Sequence, residues 1–502
     1  MAEMEAVRRQ QEKQQGLGRP IISLCHMGYR IVAVGSVLHY SKKWKTFHDF
    51  LFDYVKIAMG EEWGTEEIKK DFNKRHPILQ WNDLICKYQR EIIKEPEKVS
   101  EAPMTGAVQA YLDLSYNLYL LAHNLELQSR LINRLKNPDQ FNGAYYETFV
   151  AATLIKAGFN LELENEEDVS SSHCEFTATF ENTGTKYSVE AKSREPHKTS
   201  AVITNQLYNA LRKTANHQRV VFIDVNVPET ADEIQSLTWL QEAVLSMREK
   251  ETDLTINGQP APEAYVFVTN HPCRYALERP APRQVVLGEG FKIPDFKHDF
   301  TSLSIREALH VRDKHHPMFK VIDSVKDHSD IPSTFDGEIP EFAFGEPNVP
   351  RLKIGEKYLV PREDGVEVVG ILQDAFVSEE DRIIFGVYAL EDGRKIIASR
   401  PITDNELSAY RKYPETFFGV HKPNGRKIRD GLDMFDFLYE TYKHTSREKL
   451  IELLQNHPDI EKLKQESQEE LAITYCERWV YSNYKSEPDR QPIFPNWPRK
   501  ST

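Results

Sequence analysis

The stretch KYSVEAKSR (186–194) alternates Tyr187, Val189 and Ala191 with Ser188, Glu190 and Lys192. Successive side chains of a strand point to opposite faces, so the pattern predicts a strand with one apolar face and one face carrying Glu190 and Lys192 together. A carboxylate and an ammonium placed this way can meet at a single phosphate. The preceding run, HCEFTATF (173–180), sets Cys174, Phe176, Ala178 and Phe180 on one side and Glu175, Thr177 and Thr179 on the other. The turn ENTGT (181–185) joins the two strands as a hairpin. Glu175, near the start of one strand, then lies close to Glu190, near the end of its antiparallel neighbour. Two such carboxylates repel unless a divalent cation or a proton comes between them.

Working outward, FNGAYYETFVAATLIKAGF (141–159) predicts an amphipathic helix that ends at Gly158, a good position for a left-handed cap. Glu147 is its only acid, set among Tyr146, Phe149, Val150 and Leu154. A carboxylate there is costly to desolvate unless it pairs with a cation or reaches a polar cleft. Downstream, SAVITNQLYNALRKTAN (200–216) predicts a helix with Gln206 towards the sheet. RVVFIDVNV (219–227) and AYVFVTN (264–270) predict strands, separated by a helix over 231–250. Residues 141–330 therefore form an α/β domain, a sheet covered by helices.

The order of helix acid Glu147, strand acid Glu175 and Glu190-x-Lys192 resembles the PD-(D/E)XK, or restriction-endonuclease-like, superfamily of metal-dependent nucleases, over about 141–226. The resemblance implies that Glu175 and Glu190 bind Mg2+, with Mn2+ as a substitute. It implies that Lys192 orients or deprotonates the attacking water, that Glu147 is a direct or outer ligand, and that Gln206 stands beside the site. A hard cation prefers such oxygen ligands and generates hydroxide near neutral pH. The implied activity is phosphodiester hydrolysis, in DNA ahead of RNA, in defence or repair. The sequence departs from the family in two places: the strand acid is glutamate where aspartate is commoner, and Cys174 stands where the motif has proline. Asp168, in the acidic loop ENEEDVSSS (164–172), is a substitute ligand to consider. The alternative function is a catalytically inactive nuclease fold used as a nucleic-acid-binding or scaffold module. Glu-x-Lys alone is common on exposed strands; the ordered set is what carries the resemblance.

Arg194, Lys198, Arg212 and Lys213 flank the proposed site and are candidates for phosphate contact, a solvated charged surface being the equal alternative. The segment KPNGRKIR (422–429) is a further basic patch. Ile293-Pro294-Asp295-Phe296 is read as a turn, and His315-His316 as surface histidines. The net charge of −13 repels a polyanion at long range, so any nucleic-acid contact needs a local basic surface.

At 502 residues the chain is multidomain on the prior of roughly 100–200 residues per domain. Residues 1–140 are expected as an N-terminal helical domain, with Trp44, Phe47, Leu51, Tyr54, Val55 and Ala58 at helical spacing and a Leu114, Leu118, Leu121, Leu125 stripe in a second long run. Residues 331–350, containing Pro and Gly, are expected as a linker. Residues 351–430 predict a small β-barrel-like domain with hairpins at Asp364-Gly365 and Asp392-Gly393, and 431–502 a helical tail. The fold class is therefore multidomain α+β. The helical regions are candidate surfaces for protein partners. The amino terminus lacks the apolar stretch of a secretory signal, and no segment offers roughly 18 uninterrupted apolar residues for a membrane span, so a cytoplasmic protein without a membrane partner is expected. Five scattered cysteines without a CxxC pair suit reduced thiols.

Overall fold

The computed structural model describes residues 2–483 apart from 96–97, 164–173, 196–201, 228–232, 297–299, 301–302, 346–350, 362–364, 424–427 and 429. Asp168, Lys198, Asp364 and most of the 422–429 patch lie outside the described residues. The chain is mixed α+β, in two compact units: Met1–His298 with Lys314–Val420, and Asp299–Asp313 with His421–Thr502.

The first unit begins with helix α1 (Ala2–Gln15) and an antiparallel sheet of β1 (Ile22–His26), β2 (Tyr29–Val34) and β3 (Val37–Ser41). Helices α2 (Phe47–Met59), α3 (Glu61–Ile68), α4 (Pro77–Ile92), α5 (Gly106–Leu121) and α6 (Leu125–Leu135) follow. The amino-terminal region is thus not purely helical. Helix α2 starts where Thr46 accepts from the Asp49 amide and Asp49 accepts from the Thr46 amide, a reciprocal cap that satisfies two backbone donors. The long run predicted over 107–137 divides in two because Asn124 accepts from the Leu127 amide and starts α6.

Helix α5 is buried on every side, a wider apolar surface than the leucine stripe alone predicts. Such a helix needs cover all round. Phe47 and Phe50 of α2, Trp81 and Ile85 of α4, and Phe141 and Tyr145 of α7 (Phe141–Lys156) share one core with Tyr111 and Leu114. There is consequently no seam at residue 140. Helix α7 is itself enclosed rather than amphipathic: its Tyr146, Phe149, Val150 and Leu154 join a second core against a sheet. Gly158, at φ +88°, turns the chain out of α7 as its position predicts.

The sheet contains β4 (Phe159–Leu163), β5 (Phe176–Phe180), β6 (Lys186–Ser193) and, after α8 (Thr204–Leu211), β7 (Gln218–Asp224). Beyond α9 (Glu233–Arg248) and a short hairpin of β8 (Thr255–Ile256) and β9 (Gln259–Pro260) come β10 (Ala264–Asn270) and β11 (Val285–Phe291). The order is β11-β10-β7-β6-β5-β4. β4, β5 and β6 run antiparallel, whereas β7 is parallel to both β6 and β10. Helices α8 and α9 are the crossovers that parallel neighbours require. One face, with Val189, Ala191, Val220, Phe222 and Phe267, packs on α7 and on Met318 and Val321 of α11 (His316–Asp327); α10 (Ile305–Lys314) precedes it.

The segment expected as a linker is anchored instead. Ile331, Phe335 and Ile339 are buried, Phe335 in the helical core and Ile339 beneath the β-rich region, and α12 (Pro340–Ala343) lies within it. Strands β12 (Lys357–Pro361), β13 (Glu367–Ser378), β14 (Ile383–Leu390) and β15 (Lys395–Pro401) form an antiparallel meander, with α13 (Asp404–Lys412) packed on it. Its outer strands do not pair with each other among the described residues, so the sheet stays open, short of the expected barrel. A bulge between Leu372 and Asp374 bends β13, and Gly393, at φ +82°, turns the last hairpin.

The second unit contains α14 (Gly431–Tyr442), α15 (Arg447–Leu453), α16 (Ile460–Leu463) and α17 (Gln468–Asn483). Phe435, Leu438, Cys476 and Val480 pack with Ile305, and Leu450, Leu454 and Leu471 form a smaller cluster. Among the described residues no helix is long and apolar enough to cross a membrane.

Gly106 marks where α5 meets the loop before β11. A Cβ there would stand 2.1 Å from the Cys273 carbonyl oxygen and 2.5 Å from that of Ala276. Gly106→Ala is expected to lower unfolding free energy by about 2–3 kcal/mol, read as a shifted urea midpoint with unchanged slope; an unshifted midpoint would contradict the close approach.

Candidate functional site

The alternation along 186–193 holds. Glu190 and Lys192 share a face of β6, and the Lys192 ammonium forms an ion pair with Glu190 Oε1. The β5–β6 register pairs Phe176 with Val189, and the Glu175 amide donates to the Val189 carbonyl at 3.0 Å. One further step along that register sets Glu175 opposite Glu190. The hairpin thus brings the two strand acids together.

Glu147, on α7, lies within electrostatic reach of Glu175 and Glu190, and its isolation in the sequence has a structural answer. Arg134 of α6 grips both of its carboxylate oxygens, with Nη2 to Oε1 at 2.8 Å and Nη1 on Oε2. The carboxylate is nonetheless buried, and burial with the negative charge of Glu175 pushes its pKa up to about 7 against the pull of Arg134; Glu190 adds to the rise. Burial likewise raises the pKa of Glu190, opposed by Lys192 and Lys213 and reinforced by Glu175. The three carboxylates therefore feel one another.

Lys213, expected as a phosphate contact, stands inside the cluster. Its Nζ lies 2.9 Å from Glu190 Oε1 and 3.3 Å from Glu175 Oε1, and its side chain is only 17% exposed. Burial works to lower its pKa, but Glu190 and Glu175 together carry it above the ordinary lysine value. Its ammonium pairs with both strand acids at once.

The other flanking residues separate. Arg212 is exposed at the end of α8 and is free of the cluster. Arg194 is buried at 3% exposure, so it does not present a guanidinium to a surface ligand. Its amide donates to the Asp224 carbonyl, and its carbonyl accepts from Asn226 Nδ2 at 2.6 Å. Gln206 is half-buried on α8 and makes no hydrogen bond to the three carboxylates. Cys174, at the motif's proline position, is buried with Sγ 3.5 Å from the Thr214 carbonyl oxygen.

A second buried polar group went unread in the sequence. It lies at the carboxyl ends of β7 and β10: His271 Nδ1 is 3.4 Å from Asp224 Oδ1, while Asn226 Oδ1 accepts from Arg274 at 2.5 Å and Tyr275 at 2.7 Å. Asn226, at φ +51°, is a signal a sequence does not print. His315, expected at the surface, is also buried, hydrogen-bonded through Nδ1 to the Tyr265 hydroxyl at 2.8 Å.

Whether the carboxylates suit a divalent cation rests on their oxygens. Glu190 Oε2 is buried without a hydrogen-bond partner, and Glu175 stands beside it. These two acids fit a hard cation. Glu147 does not join them as a ligand, since Arg134 takes both of its oxygens, and no cluster of three or more acidic, histidine or cysteine groups is poised to hold a metal among the described residues.

The raised pKa of Glu147 has a definite consequence. Its folded value of about 7 exceeds the ordinary 4.5, so the folded state binds the proton more tightly and this group's contribution to stability is lost as pH rises from about 4.5 through 7. Between pH 5 and pH 8 the wild type should lose about 2–3 kcal/mol relative to Glu147→Gln in urea unfolding; parallel pH profiles would refute the assignment. No protein-family model matches this chain, and no curated protein or solved structure shows significant similarity to it, so the chemistry of the site is read from its own atoms.

Proposed function

We propose that α7 to β7 form a PD-(D/E)XK-type nuclease core that hydrolyses phosphodiester bonds in nucleic acid, DNA ahead of RNA, with Mg2+. The observation that carries this reading is the meeting of Glu175, Glu190 and Lys192 on one hairpin, with Glu147 brought to them by α7. Support also comes from the element order, a helix, three antiparallel strands, a crossover helix and a parallel strand.

In this reading Glu175 and Glu190 would hold the cation, which would supply polarisation of the phosphate and a bound hydroxide near neutral pH. Lys192, 27% exposed and paired through its ammonium with Glu190, orients the attacking water. Lys213 pairs with both acids and holds them close. Arg134 fixes Glu147 behind them, and exposed Arg212 offers a phosphate contact.

A second reading, a catalytically inactive scaffold, is favoured by the same ion pairs. Arg134, Lys192 and Lys213 already balance the three carboxylates without a metal. Metal binding and cleavage decide between the two.

Incubation of plasmid and single-stranded DNA with Mg2+ should give cleavage that EDTA abolishes and that Lys192→Ala lowers by about 100-fold or more. Equal rates for Lys192→Ala and wild type would remove the mechanism. Saturating Mg2+ should also raise the melting temperature of the wild type but not that of the Glu175→Gln, Glu190→Gln double variant. Absence of a shift in both favours the scaffold. Lys213→Met should destabilise the apo protein at neutral pH by about 2 kcal/mol, because Glu175 loses the cation beside it while Glu190 keeps only Lys192, with recovery as pH falls; a midpoint equal to wild type would show that the lysine does not hold the pair.

A further inference from the structure

Net charge conceals a local exception. From Lys13 to His48 the chain has no Asp or Glu, although it carries 77 of them in 502 residues, and the same stretch contains Lys13, Arg19, Arg30, Lys42, Lys43 and Lys45. It builds the sheet of β1, β2 and β3.

One face of that sheet is accounted for. Val32 and Val34 are buried in the helical core. The register aligns Leu24 with Ile31 and Tyr40, and Ile22 with Ala33 and Leu38, on the opposite face. That face is open: Tyr40 is 68% exposed, Leu38 66%, Ile22 63%, and Met27 at the hairpin tip 83%. Tyr29 and Tyr40 lie side by side with ring centroids 5.9 Å apart, and the Lys42 ammonium sits 4.7 Å from the Tyr29 centroid. A contiguous apolar face of this kind on a folded chain marks a surface that something covers.

Its chemistry selects the occupant. We infer that this face binds single-stranded nucleic acid, its bases lying on Tyr29, Tyr40 and the neighbouring aliphatic side chains and its phosphates on Lys42 and Lys43. Aromatic side chains on a sheet accept the π-face of any base, and lysines at their margin follow the backbone. A duplex keeps its base faces stacked against each other and cannot offer them. A second copy placed about a two-fold axis would set one acid-free, basic rim against another, which repels. The local positive charge instead complements a polyanion, in a chain that otherwise repels one.

The inference extends the nuclease reading by naming the strandedness of what the chain holds, and rests on that reading for its purpose alone. Binding and cleavage are therefore measured separately. Fluorescence anisotropy in EDTA, with labelled oligo-dT, oligo-rU and a mixed duplex, should show the single strands bound more tightly than the duplex. Tyr40→Ala should weaken single-strand binding by about tenfold. Lys42→Ala with Lys43→Ala should lower the slope of log affinity against log salt by about 1.4, the value for two phosphates on a single strand. These side chains are exposed, so the variants should melt with the wild type. Affinity unchanged in both variants, or a duplex bound as tightly as the single strands, overturns the inference. So does a wild-type dimer in sedimentation velocity that Tyr40→Ala dissociates while oligonucleotide is not bound. A chain that binds strands through this face but cuts none supports the inference and removes the nuclease reading; one that cuts but whose binding ignores Tyr40→Ala does the reverse.

Discussion

Glu147, Glu175 and Glu190 stand near enough for their charges to act on one another, and each is compensated by a cation. Arg134 reaches Glu147 from α6, while Lys213 reaches Glu175 and Glu190 from the end of α8. Removing a charge from water is costly, and the penalty is met only by a partner at hydrogen-bonding distance. One pairing joins α6 to α7, and the other joins the β5–β6 hairpin to the α8–β7 connection.

The position of α7 follows from apolar packing on both sides. Phe141 and Tyr145 belong to the helical core and Phe149 and Leu154 to the sheet core, so rotation of the helix would remove one set from its cover. Glu147 is carried to the carboxylates by a helix held for other reasons. Its raised pKa is the cost of that placement: burial and Glu175 act against the ionised form more strongly than Arg134 acts for it.

What the sequence disclosed depended on whether a residue's partner was local. The β5–β6 hairpin was legible because its alternation and turn are contiguous, and so was the meeting of Glu175 with Glu190. Glu147 announced itself by isolation. Arg134 did not, because one arginine on an amphipathic helix looks like any solvated charge until tertiary structure supplies its partner. The pairing of Lys213 with Glu175 and Glu190 was hidden for the same reason, its neighbour Arg212 being exposed while Lys213 turns inward. The leucines of α5 suggested a stripe because tyrosines and small residues on its other sides do not read as strongly apolar, although Tyr111 and Tyr116 are buried too. Ile331, Phe335 and Ile339 have no period, so a segment pinned at three points resembled a linker. β1 to β3 escaped notice because their exposed face is as apolar as their buried one, which erases the alternation by which a half-buried strand is recognised.

That erased alternation is informative in itself. A half-buried strand with a solvated outer face places polar side chains there, and the cores beneath β1 to β3 make no demand on the outer positions. Leu24, Leu38 and Tyr40 are therefore not explained by folding, nor is an acid-free stretch in an acidic chain. The carboxylate cluster differs in kind: its charges balance internally, so folding alone accounts for Arg134 and Lys213. Only the buried Glu190 Oε2, without a hydrogen bond, is left over there. The unmatched Glu190 Oε2 and the uncovered outer face of β1 to β3 each hold more chemistry than the chain's own stability requires.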